Sequence, residues 1–258
     1  MSPRSHPDFT WLGHGTVRWD LPGGEVVLVD PFLESNPVCP PAARRFERLD
    51  LILVTHAHGD HMADAVALAR AHRARVIAQY DLCEWLALQG VEDTSGMNLG
   101  GTQEALGLKI TQVRADHSSG FVHEGRMVYG GVATGYVVRA PDGFCFYHAG
   151  DTALFSDMAL IGELYRPELA FLPIGDHFTM DPAQAARACR MLGVKRVVPL
   201  HWGTFPPLVG RPAQLELELA RLGFATEMIE LEPGRRWNPR GAAEAVAIES
   251  AERRSPGD

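Results

Sequence analysis

The sequence predicts one α/β domain in which two β-sheets lie face to face with helices outside. Three observations carry that expectation. Short runs such as Val26-Val27-Leu28-Val29 and Leu51-Ile52-Leu53-Val54 are uniformly apolar rather than alternating, which suits strands buried on both faces. Segments of helical period lie between many of these runs, and such mixing points to a layered α/β architecture. No linker or low-complexity stretch divides the chain, so residues 1–258 read as a single domain with a polar tail at 249–258.

The elements follow in order. The opening alternates short strands with sharp turns, and the run from Val26 ends in Asp30-Pro31. The run from Leu51 leads straight into a histidine cluster. Residues 62–72 are alanine-rich with Leu and Val at helical spacing, so they predict a helix. Arg75-Val76-Ile77-Ala78 is a strand, followed by a helix over 82–88 that Gly90 closes. The middle is more antiparallel in character: 108–113, 135–139 and 144–148 read as strands, the last two joined by the turn Ala140-Pro141-Asp142-Gly143. Asp181-Pro182 places a capping aspartate before a proline at the first helical position, and Gly193 stops that helix. A strand at 197–200, a helix at 212–222 and a strand at 226–231 complete the set.

Composition excludes several classes. A net charge of −8 without long basic runs disfavours a nucleic-acid binder, whose affinity comes from neutralising phosphates. No apolar stretch approaches the roughly 18 residues of a membrane span. The first fifteen residues resemble neither a signal nor a transit peptide, so the chain reads as cytoplasmic. The expected partner is a small molecule. Two basic clusters, Arg44/Arg45/Arg48 and Arg235/Arg236/Arg240, read as solvated face and tail, and the first could instead capture an anionic substrate. The 4 cysteines are irregularly spaced with no C-x-x-C pair, and Cys145 and Cys189 read as core.

Chemistry concentrates in Thr55-His56-Ala57-His58-Gly59-Asp60-His61. Three histidines and an aspartate follow a strand directly and precede a helix. His56 and His58 are two apart, so in extended backbone they point the same way. Gly59 is suited to a tight turn that brings Asp60 and His61 round to the same pocket. Imidazole nitrogens and carboxylate oxygens suit a hydrolytic metal. A capped helix start would account for Asp60 alone and leave the histidines packed together without a partner.

H-x-H-x-D-H at a strand end resembles the signature of the metallo-β-lactamase superfamily. Its further elements follow in order: His117 in Ala115-Asp116-His117-Ser118-Ser119, Asp151 in His148-Ala149-Gly150-Asp151-Thr152, and His201 in Pro199-Leu200-His201-Trp202-Gly203-Thr204-Phe205. Trp11-Leu12-Gly13-His14-Gly15, Val29-Asp30-Pro31-Phe32-Leu33 and Leu172-Pro173-Ile174-Gly175-Asp176 narrow the likeness, which spans residues 9–232. They resemble a bacterial and archaeal subgroup of metal-dependent hydrolases related to the ascorbate-phosphate lactonases. The chain departs from that pattern at Gly15, where a serine is usual, and at Asp176-His177-Phe178.

The resemblance implies a four-layer αββα metallo-β-lactamase sandwich with two divalent metal ions, Zn²⁺ first and Mn²⁺ or Fe as alternatives. It implies that His56, His58 and His117 hold one ion, that Asp60, His61 and His201 hold the other, and that Asp151 bridges them. Such a pair, about 3.5–4 Å apart, shares a water and lowers its pKa, and the hydroxide then attacks a small ester, lactone or phosphoester. Asp60 would also orient the nucleophile or move its proton. Alternatives on the same fold are diiron or mononuclear-iron redox chemistry and, with less support, a nuclease. Many members are oligomers, so a homo-oligomer is allowed.

The other histidines divide. His14 reads as a group behind the ligands, a substrate contact or a structural residue. His148 and Asp30 read as supports for the ligands, Asp30 with simple turn chemistry as its alternative. Asp176 and His177 follow a strand where an active-site rim would lie, with His177 either a candidate proton donor beside Asp60 or an ordinary surface residue. His6, His72 and His123 read as surface residues.

Overall fold

A computed structural model describes residues 6–240 and the backbone of 246–247. The first sheet runs through β1 (Asp8–Trp11), β2 (Val17–Asp20), β3 (Val26–Val29), β4 (Leu51–Leu53), β5 (Arg75–Gln79) and β6 (Thr94–Met97). The second is built from β7 (Thr102–Ala105), β8 (Leu108–Arg114), β11 (Thr134–Arg139), β12 (Cys145–His148), β13 (Leu169–Pro173), β14 (Arg196–Leu200) and β15 (Glu227–Met228). Between β8 and β11 stands a separate hairpin, β9 (Phe121–His123) with β10 (Arg126–Val128). The chain then returns to the first sheet, where β16 (Arg235–Trp237) pairs with β1 and with β17 (Val246–Ala247). The polar tail expected at 249–258 lies outside the described residues.

Burial explains the unbroken apolar runs. Val27 and Val29 of β3 face the core between the sheets, together with Leu53, Phe146 and Phe171. Val26 and Leu28 face the other way, onto a core shared with Ile52, Ala69 and Leu82. That outer layer is formed by α1 (Gly59–Met62), α2 (Ala65–His72) and α3 (Tyr80–Leu88). On the second sheet Tyr147 and Leu172 pack outward on α4 (Met158–Tyr165), α5 (Pro182–Leu192) and α6 (Pro212–Arg221). The result is the four-layer αββα sandwich expected. No helix among the described residues is long and apolar enough to cross a membrane.

Two local expectations are refined. The single helix predicted over 62–72 is two helices broken at Ala63-Asp64, where the Asp64 amide leaves the helical ladder to donate to the Pro31 carbonyl at 3.0 Å and the Asp64 carboxylate accepts from the Leu33 amide at 2.6 Å. Gly59 makes no glycine-only turn; it is the first residue of α1, and helix entry itself swings Asp60 and His61 inward. The α5 signals hold: Asp181 accepts from the Gln184 amide at 2.6 Å, and Gly193 closes the helix in the left-handed region.

Strand direction then fixes where chemistry sits. β3, β4 and β5 are parallel, as are β12, β13 and β14, and β8 runs the same way as β12 through its antiparallel neighbour β11. Asp30, His56, His117, Asp151 and His201 all follow carboxyl ends of these strands, at one edge of the sandwich. Thr134 and Tyr136 of the second sheet stitch that edge by donating from their hydroxyls to the carbonyls of Thr55 and Val54.

Candidate metal centre

The loop after β4 sets the first donors. His56 Nε2 and His58 Nδ1 lie 3.0 Å apart, and His117 Nε2 reaches to 3.3 Å from His58 Nδ1. The donor atoms of these three histidines all fall within 4.8 Å of one another. Ser119 holds the loop: its hydroxyl accepts from the Ala57 amide at 3.1 Å and donates to the Gly130 carbonyl at 2.9 Å.

A second group gathers Asp60, His61 and His201 with His14. His14 Nε2 stands 3.0 Å from Asp60 Oδ2, so His14 belongs with the donors themselves. The side chain of Asp60 does not cap the helix. His61 Nδ1 donates to Asp30 Oδ2 at 2.8 Å, which leaves Nε2 facing inward. Asp30 also accepts from the Thr55 amide and hydroxyl, each at 2.7 Å, and that hydroxyl sits 3.0 Å from His56 Nδ1. One buried carboxylate therefore orients ligands of both groups. Gly15 gives the His61 ring its space: a Cβ there would come within 2.6 Å of His61 Cε1.

Asp151 joins the groups. Its Oδ2 is 2.9 Å from His201 Nε2, 3.3 Å from His61 Nε2 and 3.7 Å from His117 Nε2. The approach needs Gly150 at φ 62°, where a Cβ would strike Thr55 at 2.8 Å. His14, Asp30 and His201 also take left-handed backbone, with φ of 56°, 50° and 56°. Strain of this kind persists where surrounding contacts over-determine it, and these three residues all lie at the centre.

Protonation suits ligation. Burial, with the charge of His201 beside it, pulls His14 down to about 4. Burial likewise lowers His56, His58 and His117, so these imidazoles are neutral near pH 7. Burial pushes Asp60 up, but the His14 hydrogen bond and the charge of His61 outweigh it and hold the carboxyl well below its usual range. Asp151 is held down in the same way by His201 and His61, against burial. His61 goes the other way: burial disfavours its charge, yet Asp151 and Asp30 on either side raise it well above 6.5. A proton on His61 thus balances carboxylates that a cation would balance. The Nε2 atoms of His61 and His201 are buried and face Asp151 Oδ2 at 3.3 and 2.9 Å, outside hydrogen-bond geometry. Inward-facing imidazole nitrogens beside two carboxylates fit divalent cations.

A profile described as the beta-lactamase superfamily domain matches residues 25–202. The chain belongs to the metallo-β-lactamase superfamily. Within it, the chain is 48% identical over 228 residues to a UPF0173 metal-dependent hydrolase of Solibacter usitatus, covering 88% of this chain and 98% of that protein. A UPF0173 relative from Methanopyrus kandleri is 47% identical over 227 residues, covering 87% and 96%. Among solved structures, the metallo hydrolase Igni18 of Ignicoccus hospitalis superposes with a TM-score of 0.78 at 34% identity, covering 89% and 97%. This metallo-β-lactamase superfamily member is a metal-dependent hydrolase.

The structure gathers the seven sequence-predicted donors into one centre, with Asp30 behind them and His14 among them. His148 is buried next to the centre, and burial lowers it to about 4; its Nδ1 accepts from the Gly150 amide at 3.3 Å. It therefore supports the turn that presents Asp151. Asp176 and His177 fall outside all three donor groups. Both are exposed on left-handed backbone, with the His177 amide donating to Asp176 Oδ1 at 2.7 Å. Their loop still borders the centre, since the Met180 amide donates to the Thr152 carbonyl and Gly175 packs on the His201 backbone.

The expectation of a surface His6 is corrected: it is buried, with Asn238 Oδ1 at 3.2 Å and Asp142 Oδ2 at 3.3 Å, because the returning chain covers it. Arg44 donates to the carbonyls of Glu34, Asn36 and Cys39, and Arg48 pairs with Asp50, so these two brace loops. All four cysteines are buried and free, and burial pushes their thiols up to about 11, or about 12 for Cys189. Sequence reasoning missed Thr55 and Ser119. The place of Thr55 between strand and first ligand was the available signal; Ser119 carried none.

Proposed function

We propose that this hydrolase uses two divalent ions, Zn²⁺ first among the candidates, to cleave a small ester, lactone or phosphoester. The observation that carries the reading is the position of Asp151 Oδ2, within 3.7 Å of imidazoles from both donor groups. His56, His58 and His117 form one half of the site, and Asp60, His61 and His201 with His14 form the other. Bound cations would supply a nucleophile from water near neutral pH and would neutralise charge on a carbonyl or phosphoryl oxygen. The chain supplies the rest. Asp30 and Thr55 hold His61 and His56 in the tautomers that present Nε2. Asp60, kept ionised and steered by His14, is placed to accept a proton from the attacking water. His177, on the exposed loop beside His201, is the candidate donor to the leaving group.

Elemental mass spectrometry tests this reading on wild type, His58→Ala and Asp151→Ala. About two equivalents of zinc or manganese in wild type are expected, falling to about one or none in the variants. Two irons would move the chemistry to redox, and no metal under any loading condition would sink the proposal.

A further inference from the structure

Beside the metal centre lies a second feature that the ligand set does not use. The β9–β10 hairpin pairs with neither sheet and stands over the outer helices. Between it, α1, α2 and α3 opens a recess of about 400 Å³, a volume in the range of small-molecule sites. Its wall is largely apolar, with Met62 and Val66 from the helices, Trp85 from α3, and Phe121 and Met127 from the hairpin, and His123 stands edge-on to Trp85 at 5.2 Å. Trp85 is fixed edge-on to Phe121 at 4.8 Å. The metal donor His58 stands in the same wall.

Two further observations say what fills it. Val122 and Met127 at the hairpin are 66% and 75% exposed, an apolar lip beside a polar centre. The hairpin is also anchored at the centre, because Ser119 links the Gly130 carbonyl after β10 to the Ala57 amide between His56 and His58. An occupant of the recess therefore touches a metal ligand at one end and apolar side chains along its length. That describes a substrate better than a protein partner.

We infer that the recess holds an aliphatic chain or aryl group of the substrate, so that the enzyme acts on amphipathic esters or lactones with the cleavable bond at His58. This rests on the hydrolase reading for the bond cleaved, while the recess itself is tested by binding alone. The probes are straight-chain carboxylates from acetate to octanoate, titrated calorimetrically into the metal-loaded protein.

Each added methylene is expected to tighten binding about fourfold until the recess is full, from roughly 0.8 kcal/mol per buried CH₂. Val66→Phe, which fills the recess from α2, is expected to bind its metals as wild type does and to flatten that slope. Equal weak binding of all chain lengths, or a slope that survives Val66→Phe, overturns the inference. Aryl acetate and aryl octanoate hydrolysis separates the two claims. Turnover with no chain-length slope in binding refutes the recess and leaves the hydrolase. A slope in binding without turnover supports the recess and refutes ester cleavage.

Discussion

The carboxylate of Asp30 accepts three hydrogen bonds, from the Thr55 amide, the Thr55 hydroxyl and His61 Nδ1. Asp30→Asn leaves the shape nearly unchanged and reverses two contacts. The Thr55 amide must face the remaining oxygen, so the new NH₂ faces both His61 Nδ1 and the Thr55 hydroxyl. His61 then has to accept there and carry its proton on Nε2, the atom needed for a cation. The expected outcome is a 10–100-fold loss of affinity at the Asp60–His61–His201 half, the usual scale for such supporting groups, with a smaller loss at the other half, which Asp30 reaches only through the Thr55 hydroxyl. Chelator competition measures it, and two unchanged affinities would contradict the tautomer argument. The sequence read Asp30 as a support for the ligands, with turn chemistry before proline as its alternative. His56, His58, Asp60 and His61 were legible because they are contiguous and chemically costly to bury without a metal. Thr55 and Gly15 were not, since each matters through what faces it: Gly15 is needed because His61 fills the space its side chain would take.

At the level of elements, strands buried on both faces were easy to read because β3 and β4 meet apolar layers on either side. The hairpin was not. Its strands are three residues each, too short for any period to register, and its outer face keeps apolar residues exposed. Its attachment depends on Ser119, whose hydroxyl serves both the Ala57 amide and the Gly130 carbonyl. Ser119→Ala leaves a buried amide unsatisfied between two ligands, which costs about 1–3 kcal/mol. The variant is expected to melt earlier and to hold the metal of the His56–His58–His117 half more weakly, with the Asp30-supported half less affected. Thermal unfolding with and without chelator distinguishes this from general destabilisation, in which both halves of the site weaken together.

Across the whole molecule, the donors come from both sheets: His56, His58, Asp60 and His61 follow β4, while His117, Asp151 and His201 follow strands of the second sheet. A bound metal would therefore tie the two halves, and its removal would expose an opposed pair of pH dependences. In the metal-free protein, burial keeps His14 and His148 neutral down to about 4, whereas the unfolded chain protonates them near 6.5. Between those values the unfolded state binds more protons, so stability falls as pH drops through that window. His61 acts in the opposite sense, because Asp151 and Asp30 overcome burial and raise it. Its stabilisation is complete below 6.5 and is lost as pH rises through its elevated value. Urea midpoints of chelator-treated protein should therefore decline on both sides of a maximum. The alkaline decline should vanish on loading, because a cation replaces the His61 proton. His148→Gln keeps an acceptor near the Gly150 amide but cannot titrate, so its acid limb should be shallower than that of wild type. An acid limb unchanged in that variant, or an alkaline limb that persists in the loaded protein, would show that other groups set the pH dependence.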